Sequence, residues 1–269
     1  MKTVLVTGAS SGFGNRVAEK LLDEGYSVYA AARRVEKMAD IEAKGAHILR
    51  MDVTDNGSVE ARVAQVIKEQ GRIDVLFNNA GYGSIGPIEC VPLEEIKRQY
   101  EVNVFGMARL IKAVLPHMRQ ERSGLIINTA SMVGRFSIAV MGWYASTKYA
   151  IEGMSDALRM EVKPFGISVV VIEPGVVKTE FDDVAFAALD KLEEPEDYKA
   201  LVAGFRKFFQ KGYEKAPGSE STADAVVRAI KAKRPKTRYA TTTDARVLPK
   251  LRRWLPDRLF DSMILREFK

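Results

Sequence analysis

Short β-branched runs alternate regularly with longer amphipathic stretches from the first residues of this chain to about residue 173, and few folds are compatible with such a pattern. The short runs are nearly all continuously apolar, as expected of strands that are buried on both faces of a sheet. Strands are predicted at residues 3–7, 27–31, 46–51, 73–78, 124–129 and 167–173. Helices are predicted between them, at roughly 13–23, 35–44, 56–70, 93–120 and 144–163.

A strict alternation of strand and helix predicts an α/β fold in which right-handed crossovers place helices on both faces of a parallel sheet. This is a doubly wound parallel sheet, or Rossmann fold, whose ligand crevice lies at the carboxyl ends of the strands. The chain has 269 residues, 46% of them apolar and 28% charged, which is typical of a globular protein with a sizeable core. It shows no internal repeat and no Ser/Gly-rich linker, so we predict a single domain over residues 1–269.

The alternation ends at Pro174-Gly175, after which about 40 residues pass without a predicted strand until a helix resumes near Ser221. We treat residues 176–219 as a helical insertion after the sixth strand. Six of its apolar residues recur at helical spacing: Tyr198, Leu201, Val202, Phe205, Phe208 and Phe209. They indicate either a helix packed on the core or a lid over an apolar substrate, and the position of the insertion after a strand end favours the lid.

The C-terminal segment, residues 242–269, is predicted to be a basic extension that follows a short strand at 238–241 and whose helical segments are broken by Pro249 and Pro256. The formal net charge is +6, yet residues 228–269 hold 13 Lys and Arg against four Asp and Glu. The rest of the chain therefore has a net charge of −3. Because Trp254 and other apolar residues lie among these charges, a peripheral membrane contact is one interpretation, while no nucleic-acid partner is expected.

The Cys, His and hydropathy patterns exclude several other classes. Cys90 is the one cysteine, so an intrachain disulfide is impossible, and a reducing compartment is expected. His47 and His117 lie far apart in sequence, so we expect no zinc site and no other metal site. The first residues turn polar too soon for a signal peptide, and no apolar run approaches the roughly 18 residues that span a bilayer, so the expected location is cytoplasmic.

A glycine-rich loop follows the first predicted strand, with the sequence Thr7-Gly8-Ala9-Ser10-Ser11-Gly12-Phe13-Gly14, and a helix follows the loop. Glycines let the backbone turn sharply and approach a pyrophosphate, which free N–H groups and the positive end of the helix stabilise. The spacing G-x-x-x-G-x-G alone would also suit a structural turn. Its place between the first strand and the first helix predicts dinucleotide binding by Gly8, Ser10, Ser11, Gly12, Phe13 and Gly14.

The end of the second predicted strand bears on the choice of cofactor. It has the sequence Ala30-Ala31-Ala32-Arg33-Arg34, with no carboxylate before Glu36. A carboxylate there would bind the ribose 2′-hydroxyl of NAD, whereas guanidinium groups suit the 2′-phosphate of NADP. We therefore predict NADP(H), with Arg33 as the phosphate ligand; the alternative is a solvated basic helix cap.

The third predicted strand is followed by Asp52-Val53, which we place in the cofactor site. The Asp52 carboxylate is expected to accept a hydrogen bond from the adenine amino group. Thr54 or Asp55 is expected to cap the next helix, which leaves Asp52 available for that role.

The predicted chemistry rests on Ser131, after the fifth strand, and on Tyr144 and Lys148 near the start of the next helix. Positions i and i+4 share one face of a helix, so the ammonium group can lie close to the phenol. A nearby lysine and a cationic nicotinamide would lower the pKa of the tyrosine from about 10 and make it a usable acid or base. Tyr144 is therefore the candidate acid/base.

Together these motifs resemble the short-chain dehydrogenase/reductase family, in order and spacing, over about 175 residues. The resemblance is carried by the glycine-rich loop, Asn78-Asn79-Ala80-Gly81, Val102-Asn103-Val104-Phe105-Gly106, Ser131, Tyr144 with Lys148, and Pro174-Gly175 with Thr179.

The resemblance implies a role for each of these residues. Tyr144 would exchange a proton with the substrate oxygen, Ser131 would polarise that oxygen, and Lys148 would bind the nicotinamide ribose and lower the pKa of the tyrosine. Asn103 would hold a water molecule that links Lys148 to solvent. The other implied cofactor-binding residues are Asn79 at the adenosine ribose, Thr179 at the nicotinamide carboxamide, and Ala80, Gly81, Pro174, Gly175 and Val177.

Beyond residue 220, Lys236-Thr237-Arg238-Tyr239 and Leu255-Pro256-Asp257-Arg258 resemble the branch that contains 17β-hydroxysteroid and retinol dehydrogenases. This implies an NADP(H)-dependent oxidoreductase that transfers a hydride between nicotinamide and a lipophilic secondary alcohol or ketone. Open alternatives are a 3-oxoacyl thioester reductase, a broad-range carbonyl reductase and a non-catalytic dinucleotide sensor. The family also implies a homo-oligomer built on the helices that hold Asn103 and Tyr144.

Overall fold

Seven parallel strands form one sheet in the computed structural model, which describes residues 1–269. The strands are β1 (Thr3–Thr7), β2 (Ser27–Ala32), β3 (His47–Arg50), β4 (Val75–Asn78), β5 (Gly124–Thr129), β6 (Ile167–Glu173) and β7 (Arg238–Ala240). Their order across the sheet is β3-β2-β1-β4-β5-β6-β7. The predicted doubly wound parallel sheet is confirmed. Its order reverses between β1 and β4, and in such sheets the ligand crevice opens at that point.

Eleven α-helices accompany the sheet: α1 (Gly12–Asp23), α2 (Ala39–Ala43), α3 (Asn56–Gln70), α4 (Leu93–Tyr100), α5 (Gly106–Gln120), α6 (Gly142–Val162), α7 (Phe181–Leu189), α8 (Glu196–Glu214), α9 (Glu220–Lys231), α10 (Thr243–Trp254) and α11 (Asp257–Glu267). One face of the sheet packs on α3, α5 and α6, through residues such as Leu110 and Ile151. The other face packs on α1 and α9, through residues such as Leu21 and Val226. None of the helices combines the length and the apolarity needed to cross a membrane.

The helix predicted at 93–120 is divided into α4 and α5 by a π-helical segment, Glu101–Phe105. Asn103 lies within this wider turn, 1% exposed, and its amide is bonded to the backbone of Tyr82. Next to it, Gly106 packs so closely on Val53 that a Cβ would lie 2.7 Å from a Val53 methyl group. These contacts come from other parts of the chain, so helical periodicity alone could not reveal the break.

The C-terminal extension differs from the prediction at one of its two prolines. Pro249 lies inside α10, so the prediction that it breaks the helix was wrong; Pro256 does separate α10 from α11. A proline removes one helical hydrogen bond. Here α10 is also held at its start, where the Thr242 hydroxyl and the Asp244 carboxylate accept backbone N–H bonds from the loop after β6.

The insertion contains α7 and α8, and the aromatic residues of α8 face inward. Phe205 is fully buried, and its ring centre lies 5.9 Å from that of Phe268, next to α11. The Phe209 ring lies 5.1 Å from that of Phe186 in α7. The same apolar cluster contains Tyr144. The aromatic face of the insertion therefore packs on the C-terminal extension and borders the predicted catalytic residue.

Candidate active site

The glycine-rich loop forms a tight cradle between β1 and α1. Gly8 and Gly12 have φ values of +66° and +54°, in the left-handed region that glycine tolerates best. Gly14 packs so closely that a Cβ would lie 2.4 Å from the carbonyl oxygen of Gly8. Ser11 precedes α1, but its side chain makes no capping bond to the helix. The loop thus brings bare backbone and a helix N-terminus together, as a bound pyrophosphate requires.

Thr7 and Asn79 lock this loop to the end of β4. The Thr7 hydroxyl accepts hydrogen bonds from the backbone N–H groups of Asn79 and Ala80, at 3.0 and 3.2 Å. The Asn79 amide donates back to the Thr7 carbonyl at 3.2 Å. A polar groove of about 400 Å³ adjoins the loop, and its lining includes Gly12 and Thr179. The residues at this point of the sheet therefore fit a dinucleotide.

Arg33 and Asp52 stand at the ends of β2 and β3, on the same side of the cradle. Arg33 is exposed. The Asp52 carboxylate accepts bonds from the backbone and the hydroxyl of Thr54, at 3.0 and 2.8 Å. Although partial burial works in the opposite direction, these bonds and the charge of Arg33 hold the pKa of Asp52 below its usual value. The helix cap is Asp55, one of the two residues predicted, since it accepts from the backbone N–H groups at the start of α3.

Glu180, a residue that the sequence did not single out, reaches the basic end of β2 from the insertion. Its carboxylate lies 3.8 Å from the Arg34 guanidinium and 3.7 Å from the Lys37 ammonium. All three side chains are about half exposed, so each pair contributes little to stability. The contacts nevertheless bring the beginning of the insertion to the predicted 2′-phosphate site.

Ser131, Tyr144 and Lys148 lie together at the carboxyl end of β5. The Ser131 hydroxyl donates to the Pro174 carbonyl at 3.3 Å and accepts from the Val133 N–H. The Lys148 nitrogen donates to the Thr129 carbonyl at 3.0 Å. All three side chains are at least nine-tenths buried, and α6 carries Tyr144 and Lys148 on one face.

Burial has the largest effect on the pKa values of Tyr144 and Lys148. It raises the pKa of Tyr144 above its usual value, while the neighbouring Ser131 hydroxyl lowers it and the charge of Asp182 raises it. Burial also lowers the pKa of Lys148 to about 8. Desolvation of the phenol outweighs the effect of its neighbours in this structure, and the lowering of the Tyr144 pKa by Lys148 together with a nicotinamide stays a prediction. At neutral pH Tyr144 is a protonated phenol, ready to donate.

Asn103 lies behind this group, and its side chain is hydrogen-bonded to other residues of the chain. Its amide oxygen accepts from the Tyr82 N–H at 3.0 Å, and its amide nitrogen donates to the Tyr82 carbonyl at 2.8 Å and to the Thr147 hydroxyl at 3.3 Å. It therefore ties the segment after β4 to α6, next to Tyr144 and Lys148. Its role toward water stays a prediction.

The loop after β6 is held in place by the C-terminal extension. The Gly175 N–H donates to the Thr242 hydroxyl at 3.1 Å, and the Val176 N–H donates to the Asp244 carboxylate at 2.9 Å. Further along, the same loop lies against the glycine cradle. A Cβ atom on Gly12 would be 3.8 Å from the Cβ of Thr179. Thr242 and Asp244 are thus positioning residues that sequence reasoning missed, because their partners lie almost 70 residues away.

Asp182 is the second residue that sequence reasoning missed. It lies in the first turn of α7, 8% exposed, directly after Phe181, whose ring centre is 5.0 Å from that of Tyr144. Nothing in the sequence distinguishes it from the exposed Asp183 that follows. Only the packing of the insertion shows which of the two carboxylates is buried near the phenol.

Comparison with known proteins agrees with this geometry. The family model described as short chain dehydrogenase matches residues 2–189. A 3-ketodihydrosphingosine reductase of Bacteroides thetaiotaomicron is 37% identical over 258 residues, which cover 95% of this chain and 94% of the relative. An NADPH-dependent 3-dehydrocapnine reductase of Ornithobacterium rhinotracheale is 33% identical over 278 residues, covering 100% and 98%. Human retinol dehydrogenase 8 is 32% identical over 255 residues, covering 89% and 81%.

Solved structures show the same architecture. A short-chain dehydrogenase from Streptomyces avermitilis has a TM-score of 0.84 at 35% identity, covering 93% of this chain and 91% of its own. A short-chain dehydrogenase/reductase from Burkholderia phymatum in complex with NAD has a TM-score of 0.81 at 26% identity, covering 94% and 92%. Nicotinamide dinucleotides therefore occur in proteins with this fold and comparable sequence.

Proposed function

This chain belongs to the short-chain dehydrogenase family, and on that premise we propose that it is an NADP(H)-dependent oxidoreductase that reduces a lipophilic ketone or oxidises the corresponding secondary alcohol. The observation that carries the proposal is the grouping of Ser131, Tyr144 and Lys148 at the carboxyl end of β5, on the same edge of the parallel sheet as the glycine cradle after β1. The four candidate catalytic residues, including Asn103, lie in or directly behind this group.

The nicotinamide, when bound, supplies or accepts the hydride. The protein residues handle the proton: the Tyr144 phenol donates it to the carbonyl oxygen as that oxygen gains charge. The Ser131 hydroxyl turns from the Pro174 carbonyl to donate a hydrogen bond to the same oxygen, and a donor at this position stabilises the developing charge. Lys148 places a cation behind the phenol and favours the phenolate that is left after transfer.

The proposed cofactor site begins at the glycine cradle. Gly8, Ser10, Ser11, Gly12, Phe13 and Gly14 would surround the pyrophosphate, while Asn79, Ala80 and Gly81 would line the adenosine ribose. Asp52 and Val53 would contact the adenine, and Pro174, Gly175, Val177 and Thr179 would hold the nicotinamide end. Arg33 would bind the 2′-phosphate, and the absence of a carboxylate at the end of β2 supports NADP(H) over NAD(H).

The proposed substrate class is supported by the apolar surroundings of Tyr144. The phenol packs against Phe181 of the insertion, which continues into a cluster of aromatic residues that includes Phe186, Phe205 and Phe209. We propose that α7 and α8 act as a lid over an apolar substrate chain. The names of two relatives fit such a substrate, since a ketodihydrosphingosine is by its chemistry a long-chain ketone with an amino group beside the carbonyl.

The test is consumption of NADPH, followed by its absorbance, with a panel of carbonyl compounds. The panel contains long-chain ketones, long-chain 2-amino ketones, steroid ketones, retinal, short polar ketones and 3-oxoacyl thioesters. Turnover that rises with the apolar surface of the ketone supports the proposal. Preference for thioesters would favour the acyl reductase alternative, and NADPH binding without any turnover would favour a dinucleotide sensor.

A further inference from the structure

Asp182 is a buried carboxylate that the proposed mechanism does not use. It is 8% exposed, and one of its two carboxylate oxygens, Oδ2, is buried without a hydrogen-bond partner. No Lys or Arg forms an ion pair with it, although the chain contains 41 of these residues. A buried carboxylate is costly unless it is paired with a cation or fully hydrogen-bonded.

The surroundings of Asp182 place it at the base of the insertion, next to the catalytic phenol. Tyr213, near the end of α8, neighbours Asp182 closely enough that its hydroxyl lowers the pKa of the carboxyl against the larger effect of burial. The preceding residue, Phe181, has its ring centre 5.0 Å from that of Tyr144. The charge of Asp182 acts on Tyr144 as well, since it raises the pKa of the phenol. A buried carboxylate oxygen without a hydrogen-bond partner therefore belongs to the residue next to the one that packs on Tyr144.

We propose that Asp182 binds the ammonium group of the substrate, and that the substrate class is a long-chain ketone with an amino group on the carbon beside the carbonyl. The inference rests on the proposed function and specifies its substrate. A carbonyl bonded to Tyr144 and Ser131 brings its α-carbon close to the phenol, so an amine on that carbon lies toward the base of the insertion. The ammonium supplies the cation and the hydrogen bond that Oδ2 lacks, while the alkyl chain contacts the aromatic cluster of α8.

Burial is consistent with this role. Burial, together with the charge of Asp183, raises the pKa of Asp182 to about 7. A bound ammonium would reverse this shift, because an opposite charge within a few ångströms favours the ionised carboxylate. Without a cation, Asp182 would serve only as a first-turn acid that stabilises the positive end of α7. The two roles predict different outcomes in one experiment.

The experiment compares two substrates that differ only in the amine: a twelve-carbon 2-amino-3-ketone and the twelve-carbon 3-ketone that lacks it. The ratio of their kcat/KM values is measured with NADPH for the wild-type protein, Asp182→Asn and the matched control Asp183→Asn, whose side chain is exposed. We expect the wild type to prefer the amino ketone by at least about tenfold, since bonds to buried charges are of that strength. Asp182→Asn should lose most of this preference, and Asp183→Asn should keep it.

Three results would overturn the inference: no preference in the wild type, an unchanged preference in Asp182→Asn, or an equal fall for both substrates, which is the sign of a structural role. If Asp182→Asn does not fold, the wild type still provides a test with an N-acetylated amino ketone, which has no charge. The wild type should turn over this compound no better than the plain ketone. Calorimetric binding of the twelve-carbon 2-amino-3-alcohol in the presence of NADPH, a pair between which no hydride can pass, tests Asp182 without turnover. Turnover of the plain ketone tests the proposed function separately. If the protein reduces the plain ketone but shows no preference for the amino ketone, the inference is wrong and the proposed function stands.

Discussion

The Lys148 ammonium nitrogen lies 5.5 Å from the centre of the Tyr144 ring, and both side chains are more than nine-tenths buried. Their positions at i and i+4 of α6 guarantee this proximity once the helix forms. Burial acts on the two groups in opposite directions. It keeps the phenol protonated and lowers the pKa of the ammonium to about 8, so at neutral pH a neutral phenol lies beside a lysine that still holds its proton.

Replacing Tyr144 with Phe should remove the proton donor and leave the cradle intact. We expect kcat to fall by about 10²–10⁴, the usual contribution of a positioned acid or base. NADPH affinity, measured by fluorescence titration, should change by less than about fivefold, since the loss of one hydrogen bond is worth about 1 kcal/mol or less. The control is Tyr149→Phe, which is 46% exposed on the same helix and should keep full activity. Near-normal turnover in Tyr144→Phe would contradict the mechanism.

Replacing Lys148 with Met should stabilise the fold at neutral pH and abolish turnover. Burial lowers the pKa of Lys148 from its usual 10.5 to about 8. Below pH 8 both folded and unfolded chains hold the proton, and the folded protein bears the cost of burying it, on the order of 1–3 kcal/mol. Between pH 8 and 10.5 the folded state loses the proton first, so wild-type stability rises with pH.

The measurement for Lys148→Met is the Tm of variant and wild type across this range. The Tm of the variant should exceed that of the wild type by the largest amount at pH 7, and this difference should shrink as the pH rises from 8 to 10.5. Lys112→Met, an exposed lysine of α5, should show no such dependence. A gain that is constant with pH would mean that Lys148 does not titrate in the folded protein as proposed.

Cofactor choice should depend on Arg33. Replacing it with Asp removes the proposed phosphate ligand and introduces the carboxylate that suits the 2′-hydroxyl of NAD. We expect the ratio of kcat/KM for NADPH over NADH to fall by at least about 100-fold, since the substitution removes an attraction to the 2′-phosphate and introduces a repulsion. Arg234→Asp carries the same charge change at an exposed position before β7 and should leave the ratio unaltered. An unchanged ratio in Arg33→Asp would place the 2′-phosphate elsewhere.

Glu180 should compete with the 2′-phosphate for Arg34 and Lys37. Its carboxylate lies within 4 Å of both cations. Glu180→Gln should therefore tighten NADPH binding by about two- to fivefold, the range expected of exposed ion pairs, and leave NADH binding unchanged. Fluorescence titration with both cofactors measures this, with the exposed Glu42→Gln of α2 as the control. Weaker NADPH binding would show that Glu180 supports the site instead.

Gly14 should not tolerate any side chain. A Cβ there would meet the Gly8 carbonyl oxygen at 2.4 Å, so Gly14→Ala must distort the cradle. We expect loss of NADPH binding together with a lower Tm. The matched control, Gly153→Ala in α6, has nothing within 4 Å of its Cβ and should raise stability by up to about 1 kcal/mol. Normal NADPH binding by Gly14→Ala would show that the cradle adapts.

Much of the fold followed from local patterns. The apolar runs predicted the six strands β1 to β6, because a strand between two layers of helices must be apolar on both faces. Strand ends were less exact: the run at 73–78 forms a strand only from Val75, where pairing with β1 begins. The glycine spacing and the Tyr144–Lys148 pair were also recognisable, since each depends on residues within one turn or one helix.

The sheet, the cradle and the pair on α6 could thus be predicted from local sequence, because all three follow from short-range periodicity and backbone freedom. Three-dimensional packing sets the burial of Asp182 rather than Asp183, the contact of Glu180 with Arg34, and the hydrogen bond from Gly175 to Thr242. These contacts join segments that are distant in sequence, and their energies come from burial and charge in a packed environment. No local pattern encodes how a helix is rotated against its neighbours, and in this protein that rotation sets the surroundings of Tyr144.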